Sequence, residues 1–245
     1  MPKPNTQPRP RTIAAVLAGG TGSRMGAPLP KQFIEVGGKP ILQHTLEAFE
    51  AAPEIDTVIV VTAAPHRERV RALALACAPK VADVIDGGAT RSDSSRAAID
   101  WATARTDAHT RLLLHDAARM LVPNQVITDV VHALDHCEAV TAAVPSSDTV
   151  IETADSTAGD IIAASLDRSR LRRVQTPQGF HLGTIADAYA RAASDPAFTP
   201  TDDCSVVLRF LPDVPVRVVG GSERNLKVTT PIDLVVAEAL LADRR

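Results

Sequence analysis

Short apolar runs alternate with longer amphipathic stretches from residue 13 to residue 144, and few architectures accommodate that order. Ile13–Ala18, Thr57–Thr62, Val81–Ile85, Arg111–His115 and Ala139–Val144 are each about the length of a buried strand. Their β-branched content and lack of polar alternation suit parallel strands covered on both faces. Between them, Ile41–Ala51, Pro65–Ala76, Ser92–Ala104 and Asn124–Cys137 read as helices. In the last of these, Val126, Ile127, Val130, Val131 and Leu134 fall at helical spacing. This order predicts an α/β domain, Rossmann-like, with a mostly parallel sheet, helices on both faces and right-handed crossovers.

The pattern changes at Ser146. From there to Gln175 the chain holds short β-prone pieces, Thr149–Glu152 and Asp160–Ser165, with no long helical face. An extended loop is one reading; strand and turn signals favour a β-hairpin arm over about 146–175. The core pattern resumes with helices near Leu182–Ala193 and Asp202–Phe210, a strand at Pro215–Val219 and a closing helix from Ile232 to about Ala242. Thr230-Pro231 opens that helix with a capping hydroxyl before a first-turn proline. Asp202-Asp203 could imitate a two-carboxylate metal site, but their place before an apolar helix reads as charge complementing the helix dipole. No linker divides the chain, so residues 12–245 are expected to form one domain. Residues 1–11, proline-rich and cationic, read as a disordered tail without the apolar stretch of a signal peptide. No run approaches a membrane span, and the expectation is a cytoplasmic protein.

Composition removes several classes of function. With 26 Lys+Arg against 29 Asp+Glu, the net charge of -3 offers no global field for nucleic acid or an acidic membrane. Aromatic residues make up only 3% of the chain, too few for a base-stacking surface. Cys77, Cys137 and Cys204 form neither a CxxC nor a zinc-type spacing, so reduced thiols are expected.

The chemistry is written most densely in LAGGTGSRMG, residues 17–26, followed by PKQF at 30–33. This loop comes directly after the first predicted strand, at the edge where open α/β sheets bind ligands. Gly19, Gly20 and Gly22 permit close backbone approach, and their N–H groups can hold phosphate oxygens. Arg24 and Lys31 would neutralise the same phosphates. The loop is not a P-loop, since Gly38-Lys39 is followed by Pro40. Nor is it a dinucleotide fingerprint, which requires glycine where Met25 stands. No acidic residue closes the next strand, which ends in Thr62-Ala63.

Other segments have readings of their own. In DGGATRSDS (86–94) the Gly87-Gly88 pair follows a strand, and Ser92 or Ser94 is positioned to cap the next helix. HDAAR (115–119) ends a strand at the functional edge, where Asp116 can face a ribose hydroxyl or a hydrated Mg²⁺, or simply cap a turn. Arg119 beside an aspartate reads equally as an ion pair. Arg168 lies in the charge run RSRLRR, and Lys227 precedes a β-branched pair in the manner of a strand edge. Thr176 precedes Pro177, which restricts it to extended geometry.

Together these blocks resemble the nucleotidyltransferases that load a sugar or polyol phosphate onto a nucleotide. DGGATRSDS, HDAAR, DTV (148–150), LDRSRLRRVQTPQGF (166–180), TDDCSVV (201–207) and NLKVTTPIDL (225–234) are similar to the 2-C-methyl-D-erythritol 4-phosphate cytidylyltransferase family of the non-mevalonate isoprenoid pathway. The resemblance runs in order from about residue 12 to residue 243. It implies CTP and a polyol phosphate as substrates, Mg²⁺ as cofactor, and a homodimer exchanging its arms. It implies Arg24, Lys31, Arg168 and Lys227 as catalytic residues, with Arg119, Thr149, Arg168, Thr176 and Lys227 on the acceptor. Ala18, Gly19, Gly20, Gly22, Gly88, Ser94 and Asp116 would then meet the nucleotide, Asp116 also through the metal. The family usually follows HDAAR with proline, where this chain has Met120, and the expected consequence is altered loop stiffness rather than altered activity. His115 reads as structural, because a phosphate nucleophile needs no general base.

The ribitol 5-phosphate cytidylyltransferases share the glycine loop and KVTTP, while HDAAR and the 166–180 block lean towards the methylerythritol enzymes. A hexose 1-phosphate nucleotidylyltransferase, a non-catalytic nucleotide-binding module and an NAD-dependent oxidoreductase are more distant alternatives.

Overall fold

A computed structural model describes residues 9–20, 29–155, 159–195 and 197–243. Its main sheet is built from β1 (Thr12–Leu17), β4 (Thr57–Thr62), β5 (Val81–Asp86), β6 (Arg111–Asp116), β7 (Ala139–Pro145), β10 (Arg172–His181) and β11 (Val216–Gly220). Two small ribbons pair β2 (Glu35–Val36) with β3 (Lys39–Pro40), and β8 (Ile151–Ala154) with β9 (Ile161–Ser165). The helices are α1 (Ile41–Ala51), α2 (Arg67–Cys77), α3 (Arg91–Thr103), α4 (Asn124–Ala133), α5 (Leu182–Ala192), α6 (Asp203–Phe210) and α7 (Pro231–Ala242).

Strand order in the main sheet is β11-β7-β10-β6-β1-β4-β5. β10 is antiparallel to both neighbours, and the remaining pairs are parallel. The apolar runs divide by parity. Ala14, Val16, Val58, Val60 and Leu113 face α1, α2 and α4, whereas Ile13, Ala15, Ile59, Val61, Leu112 and Leu114 face α3, α5 and α6. Burial on both faces is why these strands show no polar alternation. The fold is thus the expected doubly wound α/β sheet, with the hairpin as a small separate ribbon.

The differences from the sequence reading lie where tertiary contacts decide. No strand was expected over Arg172–His181, yet β10 runs through the middle of the sheet. Pro177 argues against a central strand because it lacks an N–H for the ladder. Here the pairing with β7 shifts between Gln175 and Gln178, which takes Thr176 and Pro177 out of register. The polar residues Gln175, Thr176 and Gln178 are buried, and partners from other segments make that possible. The hairpin proper is confined to residues 151–165, short of the Gln175 boundary read from sequence. Helix α3 is capped by Thr90 in a reciprocal box with Asp93, not by Ser92 or Ser94. Met120 is 2% exposed and packs with Val36, Ile41 and Val228, so it fills core.

Candidate active site

The chain runs from β1 to β4 and β5 on one side, then returns to β6 on the other. The crevice between the C-terminal ends of β1 and β6 is therefore the switch point at which such sheets bind ligands. Backbone bonds seal its floor: Ala18 N–H donates to Val61 O at 2.7 Å, and Ala117 N–H to Leu17 O at 3.0 Å. Above this floor lies a cleft of about 290 Å³. Ala18, Gly19, Gly20, Lys31, Gly88, Ser94, Asp116 and Lys227 all line it, brought from five separate stretches of chain. Gly22 and Arg24 lie outside the described residues.

Close packing explains the glycines of the 86–94 turn. A Cβ on Gly87 would come within 2.6 Å of Ser94 Oγ, and one on Gly88 within 2.2 Å of Asp93 Cβ. The second contact is with a helix residue held by the Thr90 cap, which cannot give way cheaply. Ser94 Oγ hydrogen-bonds Thr90 O at 3.2 Å, one turn back in the same helix.

Charge converges on Asp116. Its Oδ2 pairs with Lys227 Nζ at 2.7 Å, and its Oδ1 accepts from Arg91 Nε at 3.0 Å. Burial alone would raise the Asp116 pKa, but Arg91, Lys227 and Arg119 outweigh it and hold the carboxyl well below the usual carboxylate range. Arg91 lines the cleft too, and the sequence reading passed over it. The signal was present in DGGATRSDS, where only the glycines and serines were weighed. Lys31 Nζ donates to Val228 O at 3.4 Å, which ties its loop to the segment carrying Lys227.

Thr176 and His115 support Asp116 from behind. The Thr176 hydroxyl accepts from Asp116 N–H at 3.0 Å and lies 3.1 Å from His115 Nδ1. His115 Nε2 is 3.3 Å from Arg119 O, a carbonyl that can only accept. Nε2 therefore carries the proton, and Nδ1 accepts from the threonine hydroxyl. Burial pushes the His115 pKa down to about 3, against the pull of the Asp116 carboxylate. An unfolded imidazole titrates near 6.5, so on acidification the unfolded chain takes up the proton first. Stability is unaffected by this group above about pH 6.5 and is lost progressively from there towards pH 3. Between pH 7 and pH 5 the loss should be roughly 2 kcal/mol. In His115→Gln that decrement should vanish from the difference between urea unfolding free energies at the two pH values. A decrement of unchanged size in the variant would refute the assignment.

Arg119 is a strut: its Nη1 donates to Asn225 O at 2.8 Å and its Nη2 to Val174 O at 3.2 Å. It thereby links β10 to the 225–230 segment. Thr149 and Arg168 are exposed and do not line this chain's cleft; Arg168 Nη1 donates to Ser147 O at 3.2 Å. Asp202 caps α6, accepting from Ser205 N–H, as the sequence suggested. Asp203 stands in the first turn of that helix as read, and in addition its side chain is fully buried and pairs with Arg91 Nη1 at 2.9 Å.

Among the described residues no cluster of three His, Cys, Asp or Glu side chains could cage a metal ion. Among the described residues Asp116 is the one carboxylate lining the cleft. That donor set fits Mg²⁺, which commonly takes one or two carboxylates and completes its shell with water and substrate phosphates. No described helix is long and apolar enough to cross a membrane.

No histidine or cysteine lines the cleft among the described residues, while three cations do. Such a site is suited to moving a group between phosphates, and with this sheet it defines a nucleotidyltransferase. The chain belongs to the 2-C-methyl-D-erythritol 4-phosphate cytidylyltransferase family, whose sequence model matches residues 12–243. The 2-C-methyl-D-erythritol 4-phosphate cytidylyltransferase of Thermobifida fusca (strain YX) is 54% identical over 235 residues, covering 95% of this chain and 94% of the relative. A bifunctional ribulose 5-phosphate reductase/CDP-ribitol pyrophosphorylase of Haemophilus influenzae is 39% identical over 237 residues, 96% of this chain but 49% of that protein. The crystal structure of 4-diphosphocytidyl-2C-methyl-D-erythritol synthase from Anaerococcus prevotii DSM 20548 aligns with a TM-score of 0.82 at 28% identity, covering 95% of this chain and 96% of that one.

Proposed function

We propose that this protein transfers a cytidylyl group from CTP to 2-C-methyl-D-erythritol 4-phosphate and releases pyrophosphate, a step towards isoprenoid precursors. The observation that carries this reading is a glycine-walled cleft lined by Lys31, Arg91 and Lys227, the last two paired with Asp116. An oxygen of the acceptor's phosphate attacks the α-phosphorus of CTP in line, and the bond to the β-phosphate oxygen breaks. The nucleophile is already anionic, so the protein's task is to hold two polyanions in line and absorb developing charge.

Lys31 and, by resemblance, Arg24 stabilise that charge. Ala18, Gly19, Gly88 and Ser94 are positioned to receive the base from both sides of a narrow slot, where Gly19 approaches Ser94. Lys227 faces the attacking phosphate. Asp116 would hold a magnesium ion carried in on the triphosphate, an ion that supplies charge neutralisation when bound.

Thr149 and Arg168 are proposed to meet the acceptor from the arm of a second copy, making the working form a homodimer. Supporting this, neither residue lines its own chain's cleft, and the hairpin leaves Ile151, Ile161, Ile162 and Leu166 exposed at 42%, 55%, 67% and 40%. Exposed apolar surface of that kind marks an interaction site. Three free thiols are in keeping with a cytoplasmic setting.

The Haemophilus relative favours a second reading, with ribitol 5-phosphate as acceptor. Pyrophosphate release, measured for both acceptors against CTP, UTP and ATP, separates the two. The expected result is fast release only with CTP and the methylerythritol phosphate. Faster release with ribitol 5-phosphate would transfer the assignment to the second reading, and preference for UTP or ATP would overturn both.

A further inference from the structure

We propose that Asp203 is a positioning residue for the nucleotide site, acting through Arg91 and itself held by Tyr189. The proposal rests on the cytidylyl-transfer reading and extends it behind the cleft wall.

Asp203 sits in the first turn of α6 with no exposed surface. Its own N–H donates to Gln178 Oε1 at 3.0 Å. The carboxylate takes the Tyr189 hydroxyl on Oδ1 at 2.7 Å and Arg91 Nη1 at 2.9 Å on Oδ2. Arg91 turns its Nε to Asp116 Oδ1, so its planar guanidinium is gripped at two points by carboxylates from different elements. The contact with Asp203 is an ion pair rather than an aligned hydrogen bond, and with the Nε bond to Asp116 it restrains the planar guanidinium at two points. From the neutral Tyr189 hydroxyl in the core, the string Asp203–Arg91–Asp116–Lys227 therefore runs to the cleft with alternating charge.

Such an arrangement is a poor stabilising device. A buried ion pair about breaks even against well-packed apolar residues, because both charges must leave water. Its distinctive effect here is geometric. Without Asp203, the guanidinium is free to swing and take both Asp116 oxygens, which competes with Lys227 for that carboxylate. Arg91 also opens α3, the helix whose Ser94 lines the slot beside Gly88. Misplacing it disturbs the nucleotide end of the site.

The test is a double-mutant cycle on CTP affinity, measured by calorimetry without acceptor, alongside pyrophosphate release. Asp203→Asn should weaken CTP binding about 10-fold or more, since small misplacements at a site cost up to about 10²-fold. Tyr189→Phe should weaken it by a smaller factor in the same direction. In an Arg91→Ala background, Asp203→Asn should have no further effect, because its route to the nucleotide is already gone. A purely structural Asp203 would lower stability yet add its full loss to that of Arg91→Ala, and that result overturns the proposal. So does wild-type CTP affinity in folded Asp203→Asn. Should Asp203→Asn not fold, Tyr189→Phe carries the same cycle, and additivity there is equally fatal. Wild-type protein that binds CTP but transfers nothing to a polyol phosphate would refute the reaction while leaving the cycle readable. Protein that binds no CTP refutes both.

Discussion

Lys31→Ala should lower turnover by about 10²-fold or more while leaving the fold standing, the scale of losing one charged group that stabilises a transition state. The reason lies in what holds the Lys31–Phe33 turn. Gln32 and Phe33 are each 3% exposed. The Phe33 ring meets His66 edge-on at 5.5 Å between centroids and lies under the Arg69 guanidinium at 4.0 Å. The turn is thus anchored by its neighbours, and Lys31 lines the cleft. The Lys31 bond to Val228 O is long, and such a bond is worth about 1 kcal/mol or less. The check is kcat from pyrophosphate release, with circular dichroism confirming the fold. Turnover within a few-fold of wild type would remove Lys31 from the mechanism.

Asp116→Asn should show the opposite combination, losing both activity and stability. The carboxylate is the shared partner of Arg91 and Lys227, and neutralising it leaves two cations facing one amide. Removing one partner of a buried pair typically costs about 3–5 kcal/mol. Lys227 is 37% exposed and Arg91 28%, so water moderates the cost, and a loss of roughly 2 kcal/mol is expected in urea unfolding at pH 7. Turnover should fall about 10²-fold or more, since the asparagine neither orders the cations nor offers the proposed Mg²⁺ a charged oxygen. The stability gap should close as pH falls. Because cations hold the Asp116 pKa well down, its contribution is present above the unfolded carboxylate value and is lost only as pH drops below it. A variant as stable and as active as wild type at neutral pH would contradict the central place given to Asp116.

Much of this was legible from residues. The strands betrayed themselves because both sheet faces are covered, which turns β1, β4 and β6 into continuous apolar runs. The glycine loop marked the cleft by its place after β1, and DGGATRSDS did so because a Cβ on Gly87 or Gly88 would collide with Ser94 or Asp93. Lys31, Lys227 and Asp116 carried the right chemistry in sequence and do converge. Missing from that reading were groups whose role depends on a partner far along the chain. β10 is stabilised by buried polar side chains, such as Gln175 bonded to Ser222 and Asn225, and those pairings span about fifty residues. Asp203 looked like a helix-start charge because local position is all that a sequence displays.

The sequence by itself determined the layered α/β architecture, the position of the phosphate loop after β1 and the supply of cations, since each follows from local periodicity and residue chemistry. Only the tertiary structure decided that Arg91 stands between Asp116 and Asp203, that Thr176 serves Asp116 through its hydroxyl, and that Thr149 and Arg168 do not line their own chain's cleft. Local pattern reflects the free energy of burying a face. Which charges then meet is settled by the packing of elements distant in the chain.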